Sequence, residues 1–376
     1  MKPERYHWRH FFGGVAFVLL FLQFATGLFL TLFYEPNIKE AYASVQYLYK
    51  DFPVGAWLRD SHRWIALFML TALVVHIVRS LLRKDFTLPD GKVTWVTGSL
   101  MILPILAFLV TGFILPWEWK GYWWMEIIPN YFGVLPLVGE SIKSWLIDFF
   151  TMNRAFVAHV LILPVVTLIL ADFHILMKMR KRKRGGITNY LLRHGLITIP
   201  FFVAIAVLAL KIPMPTEDPM VIPMPLEGTY IPAAEWFFLI FLVPFMYFKE
   251  GLTAPLLGFY LPLFLFLALT LLPFFWKKKK ADKEESGESQ TAPAKKSIAA
   301  KIFATASVIF VTGIVLGGLY WGNHLSPTLG CNSCHNVYLG TRMGIPPETY
   351  KDRQKIPVLD DNQWMVEHWF FPQVVW

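Results

Sequence analysis

Seven stretches of this 376-residue chain are apolar over lengths that cross a bilayer: 13–33, 64–82, 96–117, 156–177, 195–212, 252–276 and 299–321. A bilayer core takes about 20 helical residues. Inside it every backbone N–H and C=O must be satisfied within the segment, so runs of this kind become helices. The chain reads as an all-α polytopic membrane protein with seven spans. Only 16% of residues are Asp, Glu, Lys or Arg, against about a quarter in soluble domains. The net charge of +9 does not point to nucleic acid, because the basic clusters at 79–84, 178–184 and 277–280 sit beside the ends of apolar runs. That is the distribution that orients membrane proteins. The first run is long enough to span and lacks a small-residue cleavage site, so no cleavable signal peptide is expected.

An eighth run, 231–248, is short, opens near Glu235 and contains Pro244. Its placement follows from the C-terminal tail. Cys331, Cys334 and His335 form Cys-x-x-Cys-His, and these are the only two cysteines in the chain. The pattern is the attachment signature of a c-type haem. Half a zinc site would need a second ligand pair, and a redox dithiol has no use for the histidine. Haems of this kind are attached on the outer side of the membrane. With the N-terminus inside, seven spans put all three basic clusters inside and His335 outside. Counting 231–248 as a span would reverse both, so it is expected as a loop helix against the outer face. Residues 277–298 are charged and aperiodic and read as a disordered inner linker.

Four histidines fall within or beside the spans. His62 and His76 are 14 residues apart, and His159 and His174 are 15 apart. Fourteen helical residues rise about 21 Å and turn to within about 40° of the starting face. Fifteen miss by about 60°, which a kink at Pro164 is expected to absorb. Each helix then shows two imidazoles to one side. If the two helices pack together, His62 and His159 face one another near the outer surface and His76 and His174 near the inner one. Two bis-histidine b-type haems fit this arrangement, since ionisable groups in a membrane are costly and usually functional.

Glycines repeat the interval: Gly13 and Gly27 in the first span, Gly98 and Gly112 in the third. A flat macrocycle lying beside a helix needs such missing side chains. Arg59, Arg63 and Arg79 lie beside the histidines at the membrane edges, where haem propionates would need cationic partners.

The strings "YASVQYLY" (42–49), "RDSHRW" (59–64), "TWVTG" (94–98), "TGFILPW" (111–117) and "GYWW" (121–124) resemble cytochrome b of the Rieske/cytochrome bc complexes, most closely the bf-type form. The resemblance covers about 5–275. It implies a four-span di-haem core over 1–190 and a fused subunit IV-like region over 191–276. The linker 277–298, a last span at 299–321 and an outer haem c tail at 322–376 then follow. The family's Pro-Glu-Trp-Tyr motif at the quinol-oxidation site corresponds here to Ala234-Glu235-Trp236-Phe237. Glu235 is therefore expected to accept a proton from quinol, with Trp236 beside it. Bf-type proteins tether an extra inner haem through a cysteine before the paired glycines. This chain has Arg9-His10-Phe11-Phe12-Gly13-Gly14 there, so no such covalent haem is expected.

The resemblance implies a subunit of a quinol:cytochrome c oxidoreductase, oxidising quinol at the outer face and coupled to proton translocation. Its cofactors would be two haem b, one covalent haem c and a quinone of the menaquinone type. His335 is expected as the proximal haem c ligand, with Met343, Met365 or His368 as its sixth. Expected partners are a separate Rieske 2Fe–2S protein, a further cytochrome c subunit or soluble acceptor, and a second copy of the complex. The location implied is the bacterial cytoplasmic membrane. The alternative reading is a non-bifurcating di-haem anchor between quinone and a peripheral dehydrogenase or reductase.

Overall fold

The computed structural model describes residues 11–88, 91–117, 119–149, 151–176, 186–212, 237–238, 241, 244 and 252–276. Glu235, Trp236, Cys331, Cys334, His335, Met343, Met365 and His368 lie outside these residues, as do the linker and the expected seventh span. The six other spans are present as helices: Phe11–Leu30, Gly55–Leu82, Gly91–Ile114, Met152–Leu176, Leu192–Lys211 and Thr253–Phe275. Their exposed faces are crowded with apolar side chains such as Leu28, Val74, Leu161, Ile169, Val203 and Phe264. A continuous surface of that kind belongs in lipid.

In chain order, α1 is Phe11–Leu30, α2 the short Ala41–Lys50 and α3 Gly55–Leu82. The third span divides into α4, Gly91–Leu100, and α5, Ile102–Ile114. Pro104 lies just past the break at Met101 and brings no N–H to the ladder. Helices α6, Trp119–Gly133, and α7, Gly139–Phe149, fill the connection to α8, Met152–Leu176. Then come α9, Gly186–Lys211, and α10, Thr253–Phe275.

Several boundaries differ from the sequence reading, two of them with a visible cause. α3 starts at Gly55 rather than 64, because Arg59, Asp60 and Ser61 are buried and let the helix run on past the apolar stretch. α5 ends at Ile114 rather than 117. Pro116 follows at once, and Trp117 takes a left-handed φ of 51°, which ends a helix as a C-terminal cap does.

Contacts divide the described residues into two units. The first holds those from Phe11 to Ile212 together with Phe264–Phe275. Within it α1 packs along α3, α4 and α5 pack along α8, and α9 lies against α1 and α3. Indole N–H groups fasten the later helices to backbone carbonyls: Trp57 to Ala206 at 3.3 Å, Trp64 to Ile212 at 3.2 Å and Trp95 to Leu269 at 2.6 Å. Tyr34, just past α1, donates to the Leu115 carbonyl at 2.6 Å, one of the carbonyls a helix end leaves free. Its ring stacks on Phe156 of α8. In the second unit, Phe238 is buried and its ring meets those of Phe237 and Phe241 at 5.0 and 6.4 Å.

Candidate functional site

The four histidines come together as two pairs. The rings of His62 (α3) and His159 (α8) are centred 6.5 Å apart at 60°. Those of His76 (α3) and His174 (α8) are 6.2 Å apart at 84°. The pairing proposed from spacing is therefore the pairing found.

The 15-residue step on α8 is absorbed differently from the expected kink. Residues Ala158–Ile162 and Asp172–Leu176 are π turns, and each contains one of the histidines. The Leu163 N–H reaches five residues back to the Ala158 carbonyl. A π turn holds one residue more than an α turn, so fifteen residues sweep about the angle of fourteen. Pro164 follows immediately, where its missing N–H removes the α-helical alternative. Proline and extra residue act together.

Each imidazole lies against one of the four glycines. A Cβ on Gly27 would stand 3.0 Å from His62 Cε1, and on Gly13 2.9 Å from His76 Cε1. On Gly112 it would stand 3.2 Å from His159 Cε1, and on Gly98 2.7 Å from His174 Cε1. The sequence marked these positions as room for a macrocycle; the side each glycine opens is filled by an imidazole edge.

Hydrogen bonds fix the rings. Thr26 Oγ1 donates to the Leu22 carbonyl at 2.9 Å, so it accepts from His62 Nδ1–H at 2.8 Å. Thr111 repeats the arrangement, donating to Ala107 at 2.7 Å and accepting from His159 Nδ1–H at 2.8 Å. His174 Nδ1–H donates to the Thr94 carbonyl at 2.7 Å. With Nδ1 carrying the proton, Nε2 keeps its lone pair for a metal, which is how buried metal-binding histidines are oriented. At His62 that nitrogen accepts from the Gln23 amide at 2.9 Å. Among the described residues, Gln23 Oε1 is left buried without a hydrogen-bond partner. Phe108 closes the wall, edge-on to His159 with ring centres 5.4 Å apart.

The donor set fits haem. Imidazole nitrogens bind first-row metals at about 2.0–2.1 Å, so two imidazoles sharing one ion hold their ring centres about 6 Å apart. Among the described residues no group of three or more His, Cys, Asp or Glu could hold a bare ion. Pairs of imidazoles suit an iron that brings its four equatorial ligands with it.

Arg59, expected as an anion partner, has its guanidinium over the Tyr49 ring at 5.0 Å from the centroid. Arg63 lies one residue past His62, and Arg79 in the last turn of α3. Sequence reasoning missed the threonines, Gln23 and a fifth imidazole. His194 of α9 is buried against Gly14, where an added Cβ would fall 1.7 Å from His194 Cδ2. A signal for the threonines was present: Thr26-Gly27, Thr97-Gly98 and Thr111-Gly112 repeat one dipeptide at three of the four glycines.

The sequence profile of the cytochrome b family, Cytochrome b/b6/petB, matches residues 2–182. Cytochrome b6 of Tupiella akineta is 36% identical over 179 residues, covering 46% of this chain and 82% of that protein. Cytochrome b6 of Gloeobacter violaceus matches to the same extent: 36% over 179 residues, with shares of 46% and 82%. A solved structure described as a hyperthermophilic respiratory Complex III is similar in fold. It has a TM-score of 0.60 and 20% identity, covering 98% of this chain and 90% of its own.

Proposed function

This chain belongs to the cytochrome b/b6 family, and from that premise we propose that it is the cytochrome b subunit of a quinol:cytochrome c oxidoreductase. The observation that carries the reading is the two imidazole pairs, each backed by glycines at the same levels of the neighbouring helices. His62 and His159 would hold the outer haem b, and His76 and His174 the inner one. When bound, the two haems supply one-electron carriage along the bundle.

The protein's own groups do the rest. Thr26, Thr111 and the Thr94 carbonyl aim the ligand nitrogens. The glycines let the imidazoles approach the neighbouring helices, and Phe108 keeps water from the pair beside it. Arg59, Arg63 and Arg79 lie at the helix ends where propionates need cations. Glu235 accepts a proton from quinol at the outer face, with Trp236 beside it, as the matching family motif implies. Moving one electron's charge across the membrane costs about 2.3 kcal/mol per 100 mV. A favourable outer branch must drive that transfer, and both cysteines of this chain are committed to the haem c motif. A separate Rieske 2Fe–2S protein therefore supplies the branch.

Cys331, Cys334 and His335 would anchor a c haem that offers an exit for electrons on that side, with Met343 or Met365 as a further ligand. A further cytochrome c subunit or soluble acceptor would take the electrons on that side. The quinone is of the menaquinone type, and the complex is a homodimer in the bacterial cytoplasmic membrane with the N-terminus inside. The test is haem stoichiometry in the purified full-length protein. Pyridine haemochrome spectra should show b and c haems near two to one, and a one-to-one ratio overturns the paired-histidine reading. Glu235→Gln should slow quinol oxidation with haem content unchanged; undiminished turnover removes Glu235 from the mechanism.

A further inference from the structure

At the end of α3 that carries His62, a cluster of charge is packed away from solvent. Arg59 is 5% exposed and Asp60 1%. Tyr49 of α2 joins them. Its hydroxyl donates to Asp60 Oδ1 and accepts from Arg59 Nη1 at 2.6 Å. Burial raises the Tyr49 phenol to about 12, with Arg59 pulling down and Asp60 adding to the rise. The hydroxyl thus keeps its proton and remains a donor to the carboxylate. Taking a guanidinium and a carboxylate out of water is costly unless each compensates the other. Holding α2 in place does not require it, since Ala41, Val45 and Leu48 of that helix are already buried. The location supplies a reason. Arg59 stands three residues before His62, so the two share a face of α3, and Asp60 adjoins it.

We propose that Tyr49 and Asp60 are positioning residues for the redox group at the His62–His159 pair: they fix Arg59 and balance its charge. The group then meets a neutral cluster instead of a bare cation. The proposal rests on the haem reading above. It adds two residues that reading does not use, and it changes what Arg59 presents to the site. A cation near a redox centre favours its electron-rich, reduced form, and the effect is strong where the dielectric is low. Asp60 offsets that effect at one pair. The His76–His174 pair lies about 21 Å further along α3 and is beyond its reach.

The experiment is a redox titration of the b haems in the full-length protein in membranes. It compares wild type, Asp60→Asn and Tyr49→Phe, with the His62–His159 signal identified by its loss in His159→Leu. In Asp60→Asn the midpoint potential of that haem should rise while the other stays in place. No shift, or an equal shift of both, overturns the proposal. If Asp60→Asn does not assemble, Tyr49→Phe decides, because it keeps the ring and both charges. Its low-spin electron paramagnetic resonance signal should change at the His62–His159 haem only, and an unaltered signal overturns the proposal. Wild-type protein without b haem would overturn the haem reading itself, whereas haem present with unmoved potentials and signals overturns this inference alone.

Discussion

Gly98 and His174 are placed so that a single methyl group would separate them: a Cβ on the glycine would stand 2.7 Å from the imidazole Cε1. The other three pairs repeat this at 2.9, 3.0 and 3.2 Å for Gly13, Gly27 and Gly112. Ligand and glycine therefore sit on different helices but form one unit. Substituting either disturbs the same ring.

Alanine at these glycines should loosen haem binding in the order of the clearances. Gly98→Ala should be most severe and Gly112→Ala mildest. Overpacking of this kind typically costs about 1–3 kcal/mol, and here the displaced group is the ligand. Redox-resolved haem spectra check this. Gly98→Ala and Gly13→Ala should deplete the His76–His174 signal, and the other two glycines the His62–His159 signal. Depletion unrelated to the paired histidine would dismiss the arrangement.

Thr111→Val keeps the side chain's shape and removes the acceptor for His159 Nδ1–H. Losing an outer partner of a ligating histidine typically costs about 10–100-fold in metal affinity. Haem titration into the depleted protein should show a loss in that range at one site. Thr97→Val should have less effect, because the Thr97 hydroxyl donates to the Val93 and Thr94 carbonyls rather than serving a histidine directly.

Much of this site was legible in the sequence because it is periodic. The 14-residue interval of His62 and His76, echoed in both glycine pairs, is a helical property that no packing detail can alter. The 15-residue interval on α8 suggests a kink at Pro164, whereas the backbone accommodates it with a π turn beside that proline. A π turn has no sequence signature beyond the nearby Pro164, and only the backbone shows that the extra residue is stored at Ala158–Ile162. Tyr49, Asp60 and His194 were invisible for a different reason. Their partners lie on other helices, and tertiary packing has no period to read.

The π turn can be tested by deletion. Removing the lipid-facing Leu161, together with Pro164→Ala, should remove the π turn at Ala158–Ile162, leaving the histidines 14 apart and both haems bound. Removing Leu70 from α3 takes a residue from an ordinary helix and turns His76 by about 100°. Haem spectra should show one site lost in the second variant only. Equal loss in both would mean that the extra residue does not reside in the π turn.

Tyr49 links the fold to pH. Its phenol is raised from 10.0 to about 12, so the folded state holds that proton more tightly than the unfolded chain. The associated stability is fully present below pH 10 and is lost as pH rises through about 12. Tyrosinate absorbance of wild type minus Tyr49→Phe should titrate near that upper value. A difference titrating at the ordinary value would place Tyr49 in solvent.

Gly14 and His194 supply the sharpest packing test, because an added Cβ would fall 1.7 Å from His194 Cδ2 and 2.0 Å from its Nε2. No rotamer shift of a buried imidazole absorbs that much, so Gly14→Ala must push α9 away from α1. The expected result is a protein less stable to denaturant by at least about 1–3 kcal/mol, with α9 opened to proteolysis. His194→Ala alone removes a buried side chain and should also destabilise. Combined with Gly14→Ala, however, it removes the collision. The double variant should be more stable than Gly14→Ala alone, giving the coupling expected of residues in direct contact. Additive losses would show that the two helices do not meet through this pair.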